Sequence, residues 1–216
     1  MDESIPSPNF FDEAAAVWDD KPLRVALATA IGETIVREVQ PSQEMDALDY
    51  GCGTGLLSLF LLPHVRSVTG ADSSAGMLDV LRRKIAQMAL DKMEVMRLDL
   101  EHDSLPEKRF HMVATAMTMH HVRNTGKVLG AFRELLHPGG VLCVADLDAE
   151  PGTFHSGDVA ETVHHHGFDR NEMKMHMSEL GFADTRDVTA HTIRKEVEEG
   201  ESQDFPVFLV VARRPE

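Results

Sequence analysis

The chain has 216 residues, 43% of them hydrophobic and 26% charged, with a formal net charge of −15. That is enough chain for one domain with a substantial core, in an ordinary globular composition. The acidic balance opposes phosphate neutralisation, so stand-alone nucleic-acid binding and attachment to an anionic membrane surface are disfavoured. No apolar run approaches the roughly 20 residues of a membrane span; the longest, Leu56 to Leu62, stops at Pro63. Met1-Asp2-Glu3-Ser4 lacks the basic start and apolar core of a secretory signal. Cys52 and Cys143 make no disulfide framework, so a reducing, cytoplasmic location is expected.

In chain order, residues 1–9, with Pro6 and Pro8, read as irregular, and Phe10 to Asp19 as a short amphipathic piece. A helix is predicted from Pro22, suited to a first helical position, to Val39, with Leu23, Leu27, Ala30, Ile31 and Thr34 at helical spacing. Met45 to Tyr50 is the first strand and Gly55 to Leu62 the first core helix. Between them, Gly51-Cys52-Gly53-Thr54-Gly55 reads G-x-G-x-G, not the dinucleotide G-x-G-x-x-G; Leu56 stands where the third glycine belongs. The loop N–H groups and the helix start favour a carboxylate or phosphate. Asp49, two residues before Gly51, repels a pyrophosphate but suits an ammonium, directly or through water.

His64 to Ala71 is the second strand, followed by Asp72-Ser73-Ser74. Asp72 follows Gly51 by roughly the 20 residues that separate a glycine loop from its ribose-binding acid, and its alternative is a plain helix cap. Ser73 or Ser74 can cap the next helix, which buries Met77, Leu78, Leu81, Ile85 and Met88. Met93 to Arg97 and Arg109 to Met117 are the third and fourth strands. Thr125 to Leu136 is a helix stopped by His137-Pro138-Gly139-Gly140, and Gly140 to Asp146 is the fifth strand. Asp146 to Phe168 has no periodicity and contains His164-His165-His166. It leaves the carboxyl end of a strand, where open α/β sheets bind ligands. A helix follows, with Asp169 and Glu172 as a capping box, Phe168 stapled onto Met173, and Met173, His176, Met177 and Leu180 on one face. Ala183 to Lys195 and Phe205 to Arg213 are strands joined by an acidic turn, Glu196 to Asp204.

Leu48-Asp49-Tyr50-Gly51-Cys52-Gly53-Thr54-Gly55, then Asp72, then Leu98-Asp99-Leu100-Glu101, then the strand ending at Ala116, then Leu136-His137-Pro138-Gly139-Gly140 resemble in order the motifs of class I S-adenosylmethionine-dependent methyltransferases. The resemblance runs from about Phe10 to Arg213. It implies an α/β, Rossmann-like, seven-stranded, mostly parallel sheet with an antiparallel C-terminal strand and helices on both faces. It also implies a single domain over 1–216, with an N-terminal helical cap (1–40) and an acceptor-specificity segment (147–168). The implied cofactor is S-adenosylmethionine, with contacts at Asp49, Gly51, Cys52, Gly53, Asp72, Ser73, Asp99, Leu100, Ala116 and His121. In that pattern Asp99 accepts from the adenine amino group, Leu100 offers a backbone N–H and an apolar wall, and Ala116 lies near the amino-acid portion. Trp18 and Phe11 either wall the site or simply pack on the domain.

Methyl transfer from a sulfonium is an in-line displacement that needs alignment and exclusion of water. A base near neutral pKa helps hydroxyl or acidic-nitrogen acceptors, and histidine is the usual choice. His121 and His166 are the candidates for catalysis, and His120 and His165 for the substrate pocket; for each the alternative is a surface position or a core position with a backbone partner. No metal is expected: three adjacent histidines on extended chain point to opposite sides, and there is no Cys-x-x-Cys pair for zinc. Met173, Met175, His176 and Met177 hint at copper, but three of them fit the packed helical face. The expected function is methyl transfer to a small molecule. The alternatives are a protein or RNA methyltransferase with a partner subunit, and a non-catalytic S-adenosylmethionine-binding regulator. The fourth motif lacks the Asn/Asp-Pro-Pro-Tyr/Phe pattern, which counts against nucleobase and glutamine acceptors. A homodimer is left open.

Overall fold

The computed structural model describes residues 10–198 and 201–216, so the irregular stretch expected at residues 1–9 lies outside the described residues. At the centre is β1 (Asp46–Tyr50), paired in parallel with β2 (Ser67–Asp72) on one side and β4 (Phe110–Ala116) on the other. Beyond β2 lies β3 (Met93–Arg97); beyond β4 lie β5 (Leu136–Leu147), β7 (Glu201–Arg213) and β6 (Ala183–Glu198), giving the order β3-β2-β1-β4-β5-β7-β6. β7 alone runs antiparallel, against both β5 and β6. Strand order reverses between β1 and β4, and a ligand crevice opens at the carboxyl ends of the strands at such a switch point.

The strand sequences read as apolar runs because both faces are covered. Alternation sends Leu48 and Tyr50 to one face, where they join α5 (Thr125–Leu135) and α6 (Arg170–Glu179) through Phe132, Leu129, Met173 and Met177. Ala47 faces the other way, with Leu27, Ile31 and Ile35 of α2 (Pro22–Val39) and Leu57 and Leu61 of α3 (Leu56–Leu61). Helix α4 (Ala75–Met88) covers the β2–β3 edge through Leu78 and Leu81. Ahead of α2, a short α1 (Phe10–Ala14) and a 3₁₀ helix (Ala15–Asp20) complete the N-terminal cap. Among the described residues no helix is long and apolar enough to cross a membrane, and Cys52 and Cys143 are both free and buried.

Two boundaries differ from the sequence reading. The expected acidic turn is instead strand: the β6–β7 ladder continues through Arg194↔Asp204, Lys195↔Gln203 and Glu198↔Glu201. At the first of these pairs Arg194 opposes Asp204, and opposite charges across a ladder are favourable. The His137-Pro138-Gly139-Gly140 stop is an irregularity inside β5, between the Phe110↔Leu136 and Met112↔Val141 pairs. It is tied to the residue after β7: Gly139 N–H donates to the Arg214 carbonyl at 2.9 Å, and Arg214 N–H donates to the Gly140 carbonyl at 2.8 Å.

Phe132 is fully buried and meets Tyr50 edge-on, with ring centroids 5.3 Å apart. Phe132→Ala is expected to lower unfolding free energy by about 3–5 kcal/mol in urea denaturation.

Candidate active site

A cavity of about 480 Å³ opens at the carboxyl ends of β1, β2 and β4, lined among others by Asp49, Gly51, Cys52, Gly53, Asp72, Ser73, Asp99, Ala116 and His121. Gly51 has φ 71°, and a Cβ there would run into the Thr118 side chain, so only glycine serves at this position. The loop amides were expected to receive an anion. Instead Gly51 and Cys52 donate to the Ala71 carbonyl at 2.8 and 3.0 Å, and Gly53 donates to Asp72 Oδ2 at 2.8 Å. The loop is thus a braced platform, with the donors of Gly51, Cys52 and Gly53 spent on β2.

Alternation along β1 turns Asp49 away from Tyr50, toward α3, where the Ser58 hydroxyl donates to its Oδ2 at 2.5 Å. Asp49 is 1% exposed. Burial is the main cause that pushes its pKa up to about 7, against the Ser58 hydrogen bond, with repulsion from Asp72 adding to the rise. Asp72 is also raised by burial, although its oxygens accept from Gly53 and from the Ser74 amide at 2.9 Å. The helix cap is Ser74, whose hydroxyl accepts from Met77 N–H at 3.2 Å, so Asp72 is not needed for that role.

At the β3 end, Asp99 borders the cavity. Leu100 does not: it is core, and its amide already donates to Tyr50 Oη at 3.2 Å. The expected Leu100 contact is therefore corrected, because the N–H assigned to a ligand completes the buried tyrosine's hydrogen bonding.

The N-terminal cap walls the cavity with Phe11 and Trp18. Polar ties hold it down. Asp12 Oδ1 accepts from the Ser74 hydroxyl at 2.6 Å and from Gly76 N–H at 2.8 Å. Asp19 accepts from the Thr54 hydroxyl at 2.5 Å and pairs with Lys84. Arg24, also on the cavity wall, stands 3.4 Å above the Trp18 ring.

The histidines divide sharply. His121 lines the cavity edge-on to Phe11, at a centroid distance of 5.1 Å. Its Nδ1 lies 3.0 Å from both the carbonyl and the hydroxyl oxygen of Thr162, and that hydroxyl donates to Val159 O at 2.7 Å. Two acceptors fix the proton on Nδ1 and leave a lone pair on Nε2. Burial pushes the His121 pKa down to about 3, with repulsion from His120 adding. The sequence expectation of a base near neutral pKa is thereby revised: His121 is a neutral hydrogen-bond acceptor.

His120 lies behind this wall, 1% exposed, with Nδ1 2.7 Å from Asp146 Oδ1. Of the expected pocket and base residues, His165 and His166 do not reach the cavity. His165 packs on Phe168, and His166 is exposed with Glu150 at 3.7 Å. His164 is the one member of the run that borders the cavity. Sequence reading missed His155. Its Nε2 lies 3.0 Å from His120 Nε2, and one ring nitrogen from each of His120, His121 and His155 lies within 4.8 Å of the others. No periodicity or spacing signals this, because only the fold brings Phe154-His155 beside β4.

Residues 47–140 match the family model described as a methyltransferase domain. The chain carries a class I S-adenosylmethionine-dependent methyltransferase domain, the class its sheet order and glycine loop define. It is 32% identical over 158 residues to an uncharacterised methyltransferase of Schizosaccharomyces pombe, covering 67% of this chain and 56% of that one. It is 32% identical over 114 residues to a ubiquinone biosynthesis O-methyltransferase of Cereibacter sphaeroides, covering 53% of this chain and 46% of that one. The chain thus spans about half the length of these curated relatives. A solved phosphoethanolamine N-methyltransferase 2 of Haemonchus contortus, in complex with S-adenosyl-L-methionine, shares the fold with a TM-score of 0.70 at 13% identity, covering 95% of this chain and 60% of that one.

Asp49 carries a testable cost. Folded, it keeps its proton up to about pH 7; unfolded, it loses it near the ordinary value of 3.8. The native state therefore binds the extra proton, and stability falls as pH rises between those values. Asp49→Asn removes that fall. In ligand-free protein it is expected to be more stable than the parent at about pH 8, by at most about 4 kcal/mol, with the gap shrinking toward about pH 4. Urea denaturation across that range checks the sign.

Proposed function

We propose that this chain transfers the methyl group of S-adenosylmethionine to a small-molecule acceptor. One observation carries the reading: Asp49, Asp72 and Asp99, from the carboxyl ends of the consecutive strands β1, β2 and β3, reach one cavity. That spacing suits a ligand with an ammonium, a ribose and an exocyclic amine in a row. Asp49 takes the ammonium, Asp72 the ribose hydroxyls and Asp99 the adenine amino group. Since the Gly51, Cys52 and Gly53 amides are engaged, Arg24 is the group that takes the cofactor's carboxylate. Cys52, Gly53 and Ser73 complete the wall beneath it.

The methyl group then faces the His121 end of the cavity, where segment 147–168 contributes Thr162 and His164. The protein's part in the displacement is alignment and exclusion of water, supplied by the Phe11–Trp18 wall. A histidine whose conjugate acid titrates at about 3 is a weak base at neutral pH, so His121 Nε2 orients the acceptor's O–H or N–H. A small acceptor is supported by a cavity of about 480 Å³ walled by the N-terminal cap, by the chain's acidity, and by the O-methyltransferase relative. The two free cysteines fit a reducing compartment, and the reading places the protein in the cytoplasm.

Calorimetry with S-adenosylmethionine tests the cofactor assignment. Asp72→Asn is expected to weaken binding about 10- to 100-fold, the worth of hydrogen bonds to a charged group. Pairing with the ammonium requires ionised Asp49, so affinity should rise with pH through about 7 and flatten above it. Affinity indifferent to both changes removes these acids from the site. Methyl-labelled cofactor incubated with a small-molecule extract checks turnover; label appearing only on protein or RNA, or nowhere, defeats the acceptor assignment.

A further inference from the structure

We propose that His120, His121 and His155 form a binding site for a divalent transition metal of the zinc class. One ring nitrogen from each lies within 4.8 Å of the other two. Tetrahedral zinc with Zn–N bonds of about 2.0–2.1 Å holds its nitrogens about 3.3 Å apart, and His120 Nε2 and His155 Nε2 are already 3.0 Å apart. Small rotations of the side chains suffice to close such a set.

The surroundings match what metal-binding histidines require. A ligating imidazole usually donates its second N–H to a carboxylate or carbonyl, which fixes the tautomer and aims the other nitrogen. His120 does this through Nδ1 to buried Asp146, whose Oδ1 also accepts from Leu147 N–H at 2.8 Å. His121 does it through Nδ1 to Thr162. In both rings the lone pair left over is on Nε2. The set contains no oxygen ligand, which argues against magnesium and calcium, and an all-imidazole set suits zinc, copper, nickel or iron. With three protein ligands, a fourth position remains for water or an exogenous group. His121 also lines the cavity, so the site borders its acceptor end. The rival arrangement is a plain hydrogen-bonded chain, Asp146–His120–His155, which accounts for two of the rings and keeps His121 Nε2 for the acceptor, as in the proposed function.

The test uses untagged full-length protein, stripped with chelator and titrated with Zn²⁺, and with Co²⁺ as a spectroscopic probe. Expected are one equivalent of metal per chain and the visible absorption of tetrahedral cobalt. His155→Ala, on a half-buried loop, should abolish uptake at the same metal concentration, and Asp146→Asn should weaken it about 10- to 100-fold. His166→Ala, exposed and outside the cluster, should bind as the parent does. S-adenosylmethionine binding by calorimetry reports separately on folding and on the cofactor pocket. Parent protein that binds the cofactor but takes up neither Zn²⁺ nor Co²⁺ overturns the metal site and leaves the methyltransferase reading standing. Equal uptake by His155→Ala also overturns it.

Discussion

A carboxylate held in the core without a cation is the constraint on which this structure turns. Asp49 sits on the central strand, 1% exposed, and its protein partner is a neutral hydroxyl from Ser58. Isolated burial of an ionised carboxylate is expensive, and the group answers by holding its proton up to about pH 7. Such an arrangement is poor for stability and good for recognition. A cationic ligand that reaches Asp49 recovers part of the desolvation cost at the moment of binding, and a neutral ligand recovers none. In the proposed function the ammonium of the cofactor is that cation. The second acid, Asp72, is braced by two backbone amides, so it remains in place whether or not a ribose is bound.

The N-terminal cap turns this open crevice into a cavity. Its apolar residues Phe11 and Trp18 supply the wall, while Asp12 and Asp19 anchor it to the start of α4 and to the glycine loop. The anchors grip Ser74, Gly76 and Thr54, which flank Asp72 and the glycine loop. Closure of the cap and geometry of the floor are therefore mechanically linked. Hydrogen-bonded and ionic ties of this kind each contribute modestly, so several of them together hold the cap in place.

The sheet and the floor of the cavity were legible in the sequence because they rest on local rules. Short apolar runs, a glycine loop between strand and helix, and acids at strand ends are signals carried by neighbouring residues. Asp49, Asp72 and Asp99 could be picked out by their order along the chain, and all three meet at one cavity. The donors could not be assigned this way. Which carbonyl, carboxylate or hydroxyl takes the amides of Gly51, Gly53 and Leu100 depends on the packing of β2 and Tyr50, and there the sequence reading assigned to ligands what the protein itself uses.

The acceptor end was the least legible, for a physical reason. The segment after β5 has no repeating apolar pattern to orient it, so the side that each of its histidines faces is set only by contacts with distant residues. His164 and His165 both donate their amides to the His120 carbonyl, and Glu150 N–H bonds the His166 carbonyl, which fixes the path of the run. Along that path only His164 faces the cavity. The same folding-back carries His155 to His120, thirty-five residues away in sequence. A run of three histidines drew attention to the wrong neighbours. The three-histidine cluster beside the cavity is assembled from two adjacent histidines after β4 and one lone histidine from a loop, with a buried aspartate, which the sequence presents merely as the end of a strand, on His120.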